Sequence, residues 1–239
     1  MASRLNRWVR RLKATPLHPQ WLLRGTEELR GLLATLPPGR VLDIGCADRW
    51  VERCLPRDCT YLGLDYPATG RELYGARPTL YADASRLPIA DASVDSVVML
   101  EVLEHLRCPR ESCAEAARVL RPGGILLLSM PFLYPIHDAP HDYQRYTRHG
   151  LERELRAAGF ILKATTPGLG ALETAGLLAS LSLGGVAREA LRRRSPAVLL
   201  LPLLVCAVPV VNLLAWIGGK CCPDWDAMTS GYTVLASRG

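Results

Sequence analysis

The stretch Val41-Leu42-Asp43-Ile44-Gly45-Cys46-Ala47 decides the fold. It is a short apolar run with one carboxylate, followed by small residues that let a ligand approach the backbone. A second apolar run, Thr60 to Asp65, also ends in an acid. An acid about 20 residues after a small-residue turn is placed to accept both hydroxyls of a ribose. Together the two runs predict a ligand site at the carboxyl ends of neighbouring strands.

The same alternation of strand and helix continues along the chain. Further buried-strand runs and helical spacings follow in order: strands at Val94 to Leu100, Ile125 to Ser129 and Phe160 to Thr165, and helices at Arg110 to Leu120 and Gly150 to Ala158. The turn Pro122-Gly123-Gly124 precedes the second of these strands, and Thr229 to Arg238 reads as a final strand. Strands that alternate with helices predict a parallel sheet covered on both faces.

Composition limits the class of protein. The chain has 239 residues, of which 49% are hydrophobic and 22% charged, so it is neither disordered nor collagen-like. Its eight cysteines form no C-x-x-C pair, which argues against a zinc site of that type and favours reduced thiols in a cytosolic protein.

The net charge of +6 lies in the N-terminal arm. Residues 1–24 contain six basic side chains and no acidic one, so the remaining chain is balanced. This distribution argues against a nucleic-acid partner. Leu5, Trp8, Val9 and Leu12 fall on one face of a predicted helix, which suits an anionic membrane surface. Packing on the protein's own domain and a mitochondrial presequence remain open alternatives.

Several motifs in order resemble the class I S-adenosylmethionine-dependent methyltransferases, in particular the methyltransferase type 11-like group. The resemblance covers roughly residues 38 to 166 and begins with the Val41–Ala47 stretch. The later motifs are Tyr81-Ala82-Asp83-Ala84 with Leu87-Pro88, Asp91 to Asp95, Glu101-Val102-Leu103-Glu104-His105-Leu106, and Arg118 to Gly124.

The resemblance implies an α/β fold with a Rossmann-like, doubly wound, seven-stranded sheet whose last strand, here Thr229 to Ser237, is antiparallel. It implies S-adenosylmethionine as cofactor, with Asp43 and Gly45 at its methionine end and Asp65 at its ribose. It further implies a cofactor-binding set that includes Asp83 and Ala84 at the adenine, together with Ala47 and Leu100.

The chain departs from the family pattern at two positions. Ala47 and Arg49 stand where relatives usually carry glycine. A positive φ at Ala47 costs about 1 kcal/mol relative to glycine. The departure keeps an inactive, cofactor-binding scaffold open as an alternative to an enzyme.

The loop from Pro131 to Thr147 is the predicted substrate site, because it follows a strand at the carboxyl edge of the sheet and is rich in polar and aromatic residues. A hydroxyl acceptor needs a general base, for which His137 and His141 are candidates with Asp142 as orienting group. His105 either faces the active site or caps a helical turn. The candidate substrate contacts are Tyr134, Tyr143, Arg145 and Tyr146, with Arg145 suited to a phosphate or carboxylate.

No metal is predicted from this loop. His137 and His141 are separated by three residues in a proline-rich stretch, which does not place two ligands on one helical face. Similar loops in this group of methyltransferases occur among surface-polysaccharide and glycolipid biosynthesis proteins. By association, the resemblance therefore points to a saccharide or lipid-linked acceptor.

An apolar helical insert is predicted before the last strand. Within residues 167–226, Ala197 to Ile217 is a 21-residue stretch without a charge. It is long enough to span a bilayer. A single span would place the final strand on the opposite side of the membrane from the sheet that it completes, and a hairpin of two spans would place the four arginines between residues 188 and 194 on the outer side, against the positive-inside tendency. The alternatives are monotopic attachment to one leaflet, which we favour, and a helical lid over the substrate pocket. Pro202, Pro209 and Asn212 are expected to interrupt a regular span.

Four segments follow: an N-terminal arm over 1–37, a methyltransferase core over 38–166, the insert over 167–226 and the final strand over 227–239. The sequence predicts an O-methyltransferase acting on a lipid-linked, saccharide or prenylated small molecule at a membrane surface. A methyltransferase for a soluble small molecule, with the insert as lid, is the alternative. The expected location is cytoplasmic, peripheral or monotopic on the inner face of the membrane.

Overall fold

The computed structural model describes residues 12–23, 26–72 and 77–239. Its strands are β1 Gly39–Ile44, β2 Cys59–Asp65, β3 Leu80–Tyr81, β4 Val94–Leu100, β5 Leu120–Pro131, β6 Phe160–Pro167 and β7 Gly231–Arg238. Its helices are α1 Thr26–Ala34, α2 Pro67–Glu72, α3 Pro109–Val119, α4 Arg148–Ala157, α5 Ala171–Arg192 and α6 Leu201–Cys221. Short 3₁₀ turns occur at Val51–Cys54, Leu103–His105 and Pro196–Leu200. The predicted N-terminal helix lies outside the described residues, apart from Leu12.

The strands of the described residues form one seven-stranded sheet in the order β3-β2-β1-β4-β5-β7-β6. β1 pairs in parallel with β2 and β4, and β4 with β5, whereas β7 runs antiparallel to β5. The predicted Rossmann-like sheet with an antiparallel last strand and an apolar helical insert before it is confirmed. The order places the ends of β1, β2 and β4 side by side, at the edge where such sheets bind ligands.

The start of β5 differs from the prediction. The Pro122-Gly123-Gly124 turn lies inside the strand, which begins at Leu120, instead of preceding it. Gly123 adopts φ 75°, and the pairing with β4 shifts in register between Val94 and Ser96. A glycine bend lets the strand continue through a sequence that reads locally as a turn.

Buried apolar side chains surround the sheet on both faces. One face packs Leu42, Ile44, Met99 and Leu128 against α3 and α4, and the other packs Val41, Val98 and Leu127 against α1. Each of these seven residues is at most 1% exposed. Consecutive residues of β1 and β4 thus alternate between two apolar layers, which is why both strands are continuous apolar runs.

The chain forms two compact units. The sheet unit comprises residues 28–132, 136–166 and 231–239, and the insert unit comprises 133–135 and 167–230 with the N-terminal part of the chain. The segment boundaries predicted from the sequence stay predictions.

Helices α5 and α6 dominate the insert unit. Trp21 and Leu22 pack against Leu177 of α5 and Ala215 of α6. By length and composition, the described residues contain one segment able to cross a membrane, Pro196–Cys221, and most of its apolar stretch is not buried inside the protein. Helix α6 continues through Pro209 and Asn212, so the expected interruption at these two residues is wrong.

Candidate functional site

The turn after β1 is built from residues that keep the backbone close to β2. The N–H groups of Gly45 and Cys46 both donate to the carbonyl of Leu64, at 2.8 and 3.1 Å. Gly45 adopts φ 76°, and a Cβ at this position would lie 2.4 Å from Cγ2 of Val102. The turn therefore requires glycine at position 45 for both conformation and space.

The two departures from glycine carry backbone strain. Ala47 adopts φ 40° and Arg49 φ 59°, both in the left-handed region that disfavours side chains. The N–H of Ala47 donates to Oδ2 of Asp65 at 3.0 Å. Arg49 is held by a double hydrogen bond to Glu52 and by the Tyr61 ring, whose centroid lies 4.9 Å away. These contacts offset part of the strain.

We expect Ala47→Gly to raise the free energy of unfolding by about 1 kcal/mol, because glycine adopts the left-handed conformation without the Cβ cost. Thermal and urea unfolding measure the change. The matched control is Ala114→Gly on the exposed side of α3, which should lower stability by a similar amount. A lower melting temperature for Ala47→Gly would contradict the strain at this turn.

Asp65 ends β2 directly beside this turn. Its side chain is buried, with Oδ2 accepting from Ala47 and Oδ1 accepting the Tyr66 N–H at 2.8 Å. Burial raises its pKa, partly offset by the two backbone donors. Each carboxylate oxygen has room for a second hydrogen bond, so the group can accept from two further hydroxyls. A Cβ at Gly70 would come within 2.7 Å of Oδ1, so this glycine keeps the space beside the carboxylate open.

Asp43 lies inside the sheet, one residue before the end of β1. It is 2% exposed and accepts a hydrogen bond of 2.7 Å from the hydroxyl of Tyr61. Burial raises its pKa to about 7, against the opposing effect of the Tyr61 hydrogen bond. A carboxylate with this pKa changes its charge readily when a cationic group approaches.

The remaining predicted cofactor residues differ in their exposure and in the groups that they offer to a ligand. Asp83 is exposed, and its Oδ1 accepts from the backbone and hydroxyl of Ser85 at 2.8 and 2.7 Å. Ala84 is 4% exposed and belongs to the apolar core. Leu100 ends β4 and is half-buried. Ala84 therefore offers a ligand its backbone only.

Asp142 organises the loop after β5. Its side chain is 1% exposed, and the guanidinium of Arg145 binds both carboxylate oxygens. The backbone N–H of His137 donates to Oδ2 at 3.0 Å, and Nδ1 of His137 lies 3.2 Å from the same oxygen. The Arg145 hydrogen bonds lower the pKa of Asp142 to about 2, so it remains ionised and orients His137.

His105 faces the same loop. Its Nδ1 lies 2.7 Å from the carbonyl oxygen of His141, and its ring stands edge-on to that of His137 with 4.8 Å between centroids. His141 is half-buried, and its Nδ1 lies 3.2 Å from the hydroxyl of Tyr143. Three of the predicted catalytic side chains, those of His105, His137 and Asp142, are therefore brought together, and His141 joins them through its backbone.

Two glutamates in this cluster were not predicted as site residues. Glu104 is fully buried, with Oε1 3.6 Å from Nε2 of His105 and 3.7 Å from Nε2 of His137. Glu101, at φ 54°, accepts from the hydroxyl of Ser129 at 2.7 Å. Desolvation of the carboxyl group, and then the charge of Glu104, raises the pKa of Glu101 to about 7, although the residue as a whole is exposed. The available signal was Glu-x-x-Glu-His directly after a buried strand.

The predicted substrate contacts divide between the units. Tyr134 belongs to the insert unit, where its hydroxyl accepts from the Gln20 amide at 2.7 Å. Tyr143 is 42% exposed, whereas Tyr146 packs partly buried against the core of the sheet unit. The guanidinium of Arg145 is engaged by Asp142, so its charge is largely neutralised within the protein.

Comparison with known proteins finds similarity to methyltransferases. Residues 42–128 match the family model of a methyltransferase domain. A Mycolicibacterium smegmatis protein named as an S-adenosylmethionine-dependent methyltransferase is 34% identical over 149 residues, covering 57% of this chain and 56% of its own. The 27-O-demethylrifamycin SV methyltransferase of Amycolatopsis mediterranei is 35% identical over 124 residues, covering 47% and 46%. The chain thus spans about half the length of these relatives.

A solved structure shows the same fold at greater sequence distance. The [4+2]-cyclase SpnF is 19% identical, with a TM-score of 0.57 over 90% of this chain and 81% of that one. Its name describes a cyclase, so the likeness shows the fold and leaves the reaction to the site residues.

Proposed function

We propose that the protein is a class I S-adenosylmethionine-dependent methyltransferase that transfers a methyl group from this cofactor to an oxygen of a small acceptor molecule. The observation that carries the proposal is the strand-end carboxylate of Asp65 beside the Gly45 turn. Gly45 and Gly70 leave space where side chains would obstruct a ligand, and Asp65 retains accepting capacity for a ribose. The residues present therefore fit the cofactor.

In this proposal, each of the cofactor residues binds a different part of S-adenosylmethionine. Asp65 accepts the two ribose hydroxyls, while Asp43 and the Gly45 backbone hold the cationic methionine end. Asp83, already engaged by Ser85, contributes at the adenine with the backbone of Ala84. A cationic ligand favours the carboxylate of Asp43, whose pKa of about 7 makes proton release on binding measurable near neutral pH.

The loop after β5 supplies proton transfer. When bound, S-adenosylmethionine supplies a methyl group on a positively charged sulfur. As the acceptor oxygen forms its bond to this methyl carbon and the sulfur–carbon bond breaks, a histidine accepts the hydroxyl proton. His137 and His141 are the two candidates. The ionised Asp142, whose Oδ2 lies 3.2 Å from Nδ1 of His137, supports His137 as the base. The contact of His141 Nδ1 with the hydroxyl of Tyr143, a candidate substrate residue, at 3.2 Å supports His141.

The acceptor is a lipid-linked or membrane-associated molecule in this proposal. Support comes from the insert unit, where many apolar residues of α6 are exposed, among them Leu203, Val210, Leu214 and Ile217. The alternative is a soluble small molecule, favoured by the rifamycin relative, whose name describes O-methylation of a small molecule. Strain at Ala47 motivates the second alternative, an inactive cofactor-binding scaffold.

Two measurements test the proposal. Calorimetry with S-adenosylmethionine and S-adenosylhomocysteine should give saturable binding of both, and folded protein that binds neither is not an enzyme of this class. Incubation with a labelled methyl donor and with lipid and soluble extracts should place the label in the lipid fraction. Label only in the soluble fraction would favour the soluble acceptor, and cofactor binding without any labelled product would favour the scaffold.

A further inference from the structure

Glu104 presents a buried carboxylate without a hydrogen-bond donor. Its side chain is 0% exposed, and neither Oε1 nor Oε2 has a hydrogen-bond partner among the residues that the structure describes. Burying an unsatisfied carboxylate is strongly unfavourable, so such groups are normally paired, hydrogen-bonded or bound to a metal. A general base at His137 or His141 does not explain why the Glu104 carboxylate is buried without a hydrogen-bond donor.

Two imidazoles face this carboxylate at a distance that is too long for a hydrogen bond. Oε1 lies 3.6 Å from Nε2 of His105 and 3.7 Å from Nε2 of His137, and the candidate ligand atoms of all three residues lie within 4.8 Å of one another. Ligands at about 2.1 Å from a tetrahedral zinc ion are about 3.4 Å apart. The carboxylate–imidazole separations are close to that value.

Nδ1, the other ring nitrogen of each histidine, has the kind of hydrogen-bond partner that metal-ligating histidines usually have. Nδ1 of His105 lies 2.7 Å from the carbonyl of His141, and Nδ1 of His137 lies 3.2 Å from the ionised Asp142. A carbonyl or carboxylate that accepts from Nδ1 fixes the tautomer in which Nε2 is the metal-binding nitrogen. Both rings therefore have the outer contacts that orient metal-ligating histidines.

We propose that Glu104, His105 and His137 bind one divalent transition-metal ion, with Zn²⁺ or Co²⁺ preferred over Mg²⁺ and Ca²⁺. Two imidazoles and one carboxylate suit first-row transition metals, whereas Mg²⁺ and Ca²⁺ prefer oxygen ligands alone. This assignment replaces the prediction from the sequence that the loop binds no metal. That prediction considered His137 with His141, but the structure groups His137 with residues that follow β4.

The site gives the proposed function a way to activate its acceptor, and this role rests on that proposal. Three protein ligands leave a coordination position open for an acceptor hydroxyl. A bound cation lowers the pKa of such a hydroxyl. His137 is then a ligand, and His141 takes the proton as the oxygen–methyl bond forms and the sulfur–methyl bond breaks.

Co²⁺ is the probe for the first test. Protein without an affinity tag is treated with a chelator, dialysed and titrated with Co²⁺, and its visible absorption is recorded. We expect one ion per chain, with d–d bands of nitrogen and oxygen coordination and no thiolate charge-transfer band. Glu104→Gln and His105→Gln should each weaken binding at least 100-fold. The control His149→Gln alters a histidine on α4 that is 90% exposed and should leave binding unchanged.

Thermal unfolding separates a metal site from a purely structural ion pair. Without metal, Glu104→Gln should keep or raise the melting temperature, because it removes a buried charge, and it should abolish the rise that Zn²⁺ produces in the unaltered protein. A fall in melting temperature without metal would overturn the proposal in favour of an ion pair with protonated histidines. Sub-stoichiometric Co²⁺ binding, a thiolate band or Co²⁺ binding that survives both substitutions would also overturn it.

The two proposals fail independently. Methyl transfer by chelator-treated protein that binds no metal would overturn the metal site and leave the proposed function standing. Stoichiometric Co²⁺ binding that depends on Glu104, combined with absence of cofactor binding, would support the metal site and contradict the proposed function.

Discussion

Asp65→Ala is expected to weaken binding of S-adenosylmethionine about 100-fold or more. In the proposed site, the substitution removes two hydrogen bonds from ribose hydroxyls to a charged acceptor, each contributing about 1.5–3 kcal/mol. A loss of about 3 kcal/mol corresponds to about 100-fold in dissociation constant. Isothermal titration calorimetry with S-adenosylmethionine measures the effect directly and requires no knowledge of the acceptor.

The control uses an acid next to the other end of the same strand. Asp58 is exposed and directly precedes β2, so Asp58→Ala should bind the cofactor like the unaltered protein. Because Asp65 also accepts from the N–H of Ala47, the melting temperature of each variant is recorded to separate loss of the ligand contact from loosening of the turn. Unchanged affinity in folded Asp65→Ala protein would mean that the cofactor site lies elsewhere.

Much of the sheet could be predicted because buried parallel strands are continuous apolar runs. β4 has the predicted bounds, and β2 begins one residue earlier than predicted and ends at the predicted Asp65. β3 has only two residues, too few for a pattern, and its position follows from pairing with β2. The bend in β5 depends on register with β4, which the local sequence of a Pro-Gly-Gly turn does not contain.

The acids at the strand ends of the candidate site could be predicted because strand position fixes their side chains. Asp43 and Asp65 follow from the strands that carry them. Glu104 resembles a solvated surface acid in sequence, and its burial arises where the loop that carries His137 packs against the end of β4. Contacts between segments about 30 residues apart leave no local pattern, because periodicity reports only the environment of its own element.

The insert unit joins the two elements for which the sequence predicts membrane contact. The side-chain amide of Asn212 on α6 donates to the carbonyls of Pro16 and His18, at 2.7 and 3.0 Å, and accepts from Ser180 on α5 at 2.8 Å. These hydrogen bonds attach the part of the basic arm around Pro16 and His18 to the apolar helix. The same unit exposes Leu203 and Leu214 on α6, and in sequence the four arginines at positions 4, 7, 10 and 11 precede Pro16.

We expect the protein to sediment with anionic vesicles, through two separable contributions. Leu203 is 67% and Leu214 65% exposed, so Leu203→Asp with Leu214→Asp should remove apolar anchoring without disturbing a core. Deleting residues 1–11 removes four arginines, each contributing about 1 kcal/mol near an anionic surface. Vesicle sedimentation at low and high salt measures both contributions. The deletion should remove the salt-sensitive part, and the double substitution should remove most binding at high salt.

A matched control distinguishes membrane binding by helix α6 from nonspecific adsorption through any exposed apolar residue. Ile161 on β6 of the sheet unit is 59% exposed, so Ile161→Asp makes a comparable change on another element and should leave sedimentation unchanged. The truncation ends before Pro16 because that residue anchors Asn212, and a longer deletion would mix loss of charge with loss of packing.

If the intact protein stays in the supernatant at low salt, membrane attachment is wrong. The exposed leucines of α6 then require another partner, and the lid becomes the better interpretation because apolar surface of this extent rarely stays uncovered.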